Sequence, residues 1–460
     1  MSEVPTGCCL RNAASLLILG LFPSVVVFCS GTSAATYRVA ETYEVGESLS
    51  WFQVNYCLLS HGQQQYVAYY NEKSEMVVAQ RHVRDSHWVH QVLPSRIGWD
   101  SHNYITMAVD ATDRLHVAGN MHVDPLTYFR TREPGDIATL EPQSMVGRDE
   151  QQCTYPVFFS HPEGRLLFLY RSGRSGNGRR FLNVYEPDSQ DWSRLVEPPL
   201  FDGEGQRNAY PLGPSKGPDG TYHMVWVWRD TSDCATNHHL SYCRSRNLID
   251  WETAAGESLV LPITYEQHQA WVDPIPPGGG IINGCARLAF DSQQRPLVAY
   301  HKLDAKNHMQ VFIARFEEGG WQIRPVTGWQ QHIAFGGRGS MPFIGISISD
   351  LRQVGEDRFI LGYRHRDYGS GQILLDRETL RPVDEELAAP ASHPRELMKP
   401  LLQFEGIGVR IAGDLGTSAD SGAKYVLRWE SLGKNQDKPR TSPLPPPSKL
   451  VVVKLVTDSL

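Results

Sequence analysis

Hydrophobic and polar positions along the chain fall into one recurring unit: an apolar strand, a short polar turn, a second apolar strand, then a polar loop. The clearest copies span 104–120 (YITMAVDATDRLHVAGN), 155–171 (YPVFFSHPEGRLLFLYR), 210–229 (YPLGPSKGPDGTYHMVWVWR) and 285–302 (CARLAFDSQQRPLVAYHK). Weaker copies begin near 57 and near 341, and one or two further strands follow each copy, as in LNVYEP, HLSYCRS, MQVFIARF and QILLDRE. Four strands per unit, recurring about every 50 residues, is the arithmetic of propeller blades. Six copies are visible. The ends supply a seventh: TYRVAETY at 36–43 and KLVVVKLV at 449–456, the latter behind the Pro-rich stretch 441–448, are expected to pair in one composite blade. The pattern predicts an all-β, seven-bladed β-propeller with N- and C-terminal strands closing the ring.

In such a blade the innermost strand and its neighbour run antiparallel, so the start of the first and the end of the second share one end of the ring. The starts carry His102, Tyr104, Tyr155, Tyr210 and Cys285, and the ends carry His122, Arg171, Arg229 and His301. Residues distant in sequence should therefore meet at one mouth of the central channel. Two histidines, two tyrosines and an arginine there suit one chemistry. Removing a proton α to a carboxylate needs a base and a cation or donor on that carboxylate, and expelling a β-oxygen needs an acid. A glycoside hydrolase would want two carboxylates flanking the bond, and the repeat starts and ends offer none. Plainer readings stand beside this one. A His at a strand start is more often a satisfied turn residue, Tyr155 and Tyr210 occupy the position of Tyr104, which is assigned to packing, and Arg171 could pair with an acidic neighbour.

Composition changes the picture in three ways. The 44 Lys and Arg against 51 Asp and Glu give a net charge of −7 without any basic run, which argues against a nucleic-acid partner and leaves an anionic partner to a local cluster. Second, an apolar run at 13–29 behind Arg11, followed by small residues at 30–35, reads as a secretory signal over 1–34 with cleavage near Ala34 or Ala35. The remaining 35–460 would be a single propeller domain, secreted or periplasmic, monomeric, and without stable membrane insertion once the leader is removed. An uncleaved anchor is the alternative. Third, three of eight cysteines fall in that leader, leaving Cys57, Cys153, Cys234, Cys243 and Cys285, an odd number that cannot form a complete disulfide framework.

One loop could hold metal. Cys234 and His238 or His239 are expected at the same end as Cys285 and His301, and two thiolates with two imidazoles would satisfy tetrahedral zinc in a structural role. Cys243 lies too far along the next strand to share that ion. The spacing matches no standard finger.

The motifs DSHNYITMAVD, GNMHVDPLTYF, CTYPVFF, FLYRSG and NAYPLG, together with the blade pattern, resemble the ulvan lyases of polysaccharide lyase family 25 and its relative family 24. The separations of 20 residues from His102 to His122 and 16 from Tyr155 to Arg171 match the histidine pair and the tyrosine–arginine pair of those enzymes. The resemblance implies a secreted lyase that cuts a sulfated algal polysaccharide next to a uronate and leaves an unsaturated uronate. It makes His102 and Tyr155 the base and acid, in an order left open, and has Arg171 and His122 neutralise the carboxylate. Tyr210 and Arg229 would bind substrate, and the zinc reading of Cys234, His238, Cys285 and His301 gains support. Two rival functions remain: a sialidase-like hydrolase, suggested by SRNLIDWET although that segment lacks the usual Asp and Gly of an Asp-box, and a non-catalytic carbohydrate-binding propeller.

Overall fold

Second strands of the repeats are buried at almost every position rather than at alternate ones: Tyr222–Arg229 is buried throughout, as is Leu115–Gly119. Strands read this way when both faces of their sheet are covered by packed side chains. The computed structural model describes residues 37–161, 163–385 and 393–457, and the expected leader over 1–34 lies outside them. Among the described residues the strands form seven separate sheets of mostly antiparallel strands, the predicted seven blades, and helix is confined to short 3-10 turns.

The first blade runs Cys57–Gly62, Gln64–Tyr70, Glu75–His82, Val89–Arg96, and the second begins with Ile105–Val109 and Leu115–Gly119. The third is built on Cys153–Ser160, Leu166–Arg174 and Asn177–Glu186, and the fourth on Asn208–Lys216, Tyr222–Arg229 and Asn237–Ser245. Arg287–Phe290 opens the fifth and Ile346–Ile348 the sixth. The seventh orders Gly408–Gly413, Ala423–Ser431, Ser448–Thr457 and, outermost, the N-terminal strand Tyr37–Ser48, which pairs antiparallel with Ser448–Thr457 from Tyr37 opposite Thr457 to Ser48 opposite Ser448. A short parallel bridge from Thr417 and Ser418 to His61 and Gly62 joins this blade to the first.

The apolar core lies between blades. One cluster joins Leu169 and Leu182 of the third blade to Trp226 and Trp228 of the fourth, and another joins Ile313 of the fifth to Leu361 of the sixth. All five described cysteines are buried free thiols, so this packing, not disulfides, holds the ring. No helix among the described residues is long and apolar enough to cross a membrane.

Candidate active site at the mouth of the channel

The register that gathers the site is the expected one: Ile105 faces Gly119, Thr154 faces Arg171, and Asn208 faces Arg229. Starts and ends therefore share one end of the ring. His102 sits in the loop leading into the second blade, where its backbone N–H donates to Asp100 Oδ1 at 2.8 Å. His122 opens a three-residue strand that crosses to the third blade and pairs with Thr154. The two rings lie 4.1 Å apart between centroids, inclined by 32°.

Asp100 serves both. His102 Nδ1–H donates to its Oδ1 at 2.7 Å, and His122 Nδ1–H donates to its Oδ2. With Nδ1 protonated by this arrangement, the neutral tautomer of each ring carries its lone pair on Nε2, and among the described residues no hydrogen bond takes either Nε2. Burial disfavours the charged form of Asp100, but hydrogen bonds from His102 and His122 outweigh it and hold the carboxyl far below its ordinary value. The histidines separate. Burial works against charge on both, yet bonds to Asp100 and Asp437 raise His102 above an ordinary imidazole, while His122, bonded to Asp100 alone and facing His102, falls below one. Two further groups reach His102 Nδ1: Ser340 Oγ at 3.1 Å and Asp437 Oδ2 at 3.4 Å.

Tyr155 stands next to this pair, its ring 5.8 Å from that of His102 and 6.0 Å from that of Tyr210. Its backbone is left-handed, φ 59°, inside a register shift between Thr154 and Val157. Such a conformation costs a bulky residue about 1–3 kcal/mol, and a bulge of this kind re-aims a side chain toward a site. Arg171 and Arg180, opposite one another on adjacent strands, each lie 5.0 Å from the Tyr155 ring centre. Both guanidinium groups are buried. Arg171 Nη2 donates to Thr154 Oγ1 at 2.9 Å, whereas its Nε and Nη1, and Nε of Arg180, have no hydrogen-bond partner among the described residues. Burial and the neighbouring Arg171 lower Arg180 to about 10.

The tyrosines also separate. Burial, then the neighbouring Tyr210, push Tyr155 well up. Tyr210 is buried too, but Arg171 and Arg229 beside it, with a hydroxyl contact from Ser175 at 2.7 Å, bring it below its ordinary value. Tyr104 is buried with its hydroxyl donating to the Pro156 carbonyl at 3.2 Å, which fits the packing role expected of it.

His102, His122, Tyr155, Arg171 and Tyr210 thus come together. Arg229 lies 5.5 Å from the Tyr210 ring, but its donors are taken by the carbonyls of Thr231 and Ser232 and by Asn283, so it acts through charge rather than as an open binding group. Arg171 is likewise buried beneath Tyr155. Sequence reasoning missed Asp100, Arg180, Ser340 and Asp437. It also found no carboxylates at the mouth; Asp100 and Asp437 are there, both turned onto His102 rather than flanking an open space.

The expected zinc set does not close. Among the described residues the only group of three or more His, Cys, Asp or Glu side chains with ligand atoms within 4.8 Å of one another is Asp100, His102, His122 and Asp437. Cys234, His238, Cys285 and His301 are not such a group. His238 spends one nitrogen on His239 and the other on Asp230 at 2.9 Å, and His301 Nδ1 donates to the Gly280 carbonyl at 2.8 Å. Burial works against a charged thiol at Cys285, but the charge and hydrogen bond of His301, with backbone hydrogen bonds from Ile282 and His301, bring it below its ordinary value. Nor does the Asp100 group fit an ion as it stands. Ligands about 2.1 Å from a tetrahedral metal lie roughly 3.4 Å apart, but the Asp100–His102 contact is 2.7 Å, a hydrogen bond.

Residues 64–329, more than half of the chain, match the family described as BNR repeat-containing family member. The chain belongs to the BNR repeat-containing family. No curated protein matches it. Among solved structures, the BNR-family chain is similar in fold to the polysaccharide lyase Uly1 (TM-score 0.57, 13% identity, covering 92% of this chain and 100% of that one). It is similar also to a PL25 ulvan lyase, at TM-score 0.55 and 14% identity over 90% of this chain and 94% of that one. A structure of a PL25 ulvan lyase bound to -[GlcA(1-4)Rha3S]- gives TM-score 0.57 and 13% identity over 90% and 95%. At such identities the likeness establishes the shared propeller.

Proposed function

We propose that this BNR-family propeller is an exported polysaccharide lyase that cleaves a uronate-containing sulfated polysaccharide, ulvan, by β-elimination. The observation that carries the reading is the pairing of an imidazole held by Asp100 with its Nε2 uncommitted and a phenol kept protonated by burial, 5.8 Å apart between rings over three buried arginines. His102 Nε2 takes the C5 proton of the uronate, and the electron pair forms the C4=C5 double bond. The C4–O bond to the preceding sugar breaks, and Tyr155 gives its proton to the leaving oxygen. The charges of Arg171 and Arg180 behind Tyr155 offset the negative charge that builds on the carboxylate, while His122, neutral and with its N–H given to Asp100, packs beside His102 instead of supplying the donor expected of it. Tyr210 lines the sugar site beside Tyr155. The leader expected over 1–34 accords with action on an extracellular polymer.

The test is incubation of purified protein with ulvan, following ultraviolet absorbance of the conjugated uronate and reducing ends together. Both should rise in step. Reducing ends without absorbance would make the protein a hydrolase, and binding without either would make it a lectin-like module.

A further inference from the structure

Two loops from elsewhere in the ring reach across the mouth to His102. One, residues 433–440, joins the strands Ala423–Ser431 and Ser448–Thr457 of the composite blade; the other, residues 336–341, lies between the fifth and sixth blades. Asp437 Oδ1 accepts from the Ser101 backbone N–H at 3.3 Å and Oδ2 from that of Ser340 at 2.9 Å, while the Gln436 N–H donates to the Ser340 carbonyl at 2.9 Å. The approach is close. A Cβ on Gly339, whose φ is +80°, would stand 2.6 Å from the Gln436 carbonyl oxygen, and Gln436 and Asp437 are themselves left-handed at φ 54° and 59°. At its other end this loop is held by the Gly337 N–H donating to Asp233 Oδ1 at 2.8 Å. The side chains of His102 and Asp437 are 14% and 15% exposed, so water screens their contact only in part.

We propose that Asp437 and Ser340 are positioning residues for His102, completing from across the mouth the cradle that Asp100 begins, so that the blade built from both chain ends enters the catalytic site. This rests on the lyase reading of His102. The ionisable groups facing His102 are Asp100 from its own loop, His122 from the short strand that crosses to the third blade, Tyr155 from the third blade and Asp437 from the seventh, with Lys434 next to Asp437. Removing the Asp437 charge takes away one of two anions that favour the imidazolium, so His102 should titrate at lower pH.

The experiment compares wild type with Asp437→Asn and Ser340→Ala in the full chain, by NMR titration of the histidine rings without substrate and by pH profiles of elimination on ulvan. In Asp437→Asn the His102 midpoint and the acid limb of kcat/KM should both move to lower pH, with kcat about tenfold down and KM within about twofold. Ser340→Ala should lower kcat about threefold and supplies the same readout if Asp437→Asn does not fold. A His102 midpoint unchanged in the folded variants, or a loss of kcat with an unmoved acid limb, would overturn the proposal. Inactive wild type with a shifted His102 midpoint would sink the lyase reading and leave the contact standing.

Discussion

Two adjacent histidine pairs sit on neighbouring parts of the ring, His102 with His122 and His238 with His239, and they differ in what their nitrogens are free to do. In the first pair both Nδ1 atoms share Asp100 and both Nε2 atoms stay uncommitted among the described residues. In the second, the Nδ1 atoms face each other at 2.7 Å, His238 Nε2 meets Asp230 and His239 Nε2 meets the Tyr265 hydroxyl at 3.3 Å. Every nitrogen is spent. Burial, then His238 and His268 nearby, push His239 down to about 4, so it stays neutral through the physiological range. Both regions use the same backbone device, a bulge with a left-handed residue, Tyr155 in one and His239 in the other. The bulge decides direction; the partners it points a ring toward decide whether that ring can transfer a proton.

The difference can be broken by substitution. Tyr155→Phe removes the proposed acid and should lower kcat on ulvan about a hundredfold or more, with the fold retained by circular dichroism. Wild-type turnover would remove Tyr155 from proton transfer. Asp100→Asn comes next: both histidines lose their shared carboxylate, kcat should fall about thirtyfold, and the acid limb of kcat/KM should move to lower pH. The sign follows from His102, whose imidazolium Asp100 favours. For the wild type, that limb should lie above the ordinary imidazole value of about 6.5, because His102 must lose its proton to act as base. Arg180→Gln should cost about tenfold in kcat by weakening the field under Tyr155, read against an unchanged melting temperature.

Much of the first pair could be read from the sequence, because antiparallel pairing ties each repeat start to the neighbouring strand's end. That register alone brings His102, His122, Tyr155, Arg171 and Tyr210 to one mouth. Asp100 lay two residues from His102 in the same motif, but its role depends on a turn that folds its carboxylate back onto the ring. Arg180 was legible in principle, since a hairpin through RSGRSGNGRR sets it opposite Arg171. Ser340 and Asp437 were not, because they come from loops with no position in the repeat. The zinc set is not gathered in this structure, and the reason lies at the bulge: His238 pairs with Trp228 while Leu240 pairs with Val227, leaving His239 extra, and spacing alone does not show which way such a bulge turns its rings.

The smallest effect sharpens the contrast from the other side. His239→Gln should leave kcat on ulvan within about twofold and lower stability by about 1 kcal/mol, seen in urea unfolding, since it breaks a half-buried hydrogen-bonded pair and touches no proton-transfer group.

The most direct measurement sets His102→Ala beside His238→Ala, assaying both for conjugated uronate formed from ulvan after confirming that each is folded. The account predicts a loss of about a hundredfold or more for His102→Ala and a rate within about threefold of wild type for His238→Ala. Wild-type elimination by His102→Ala, or a collapse of the chemical step in folded His238→Ala, would contradict it.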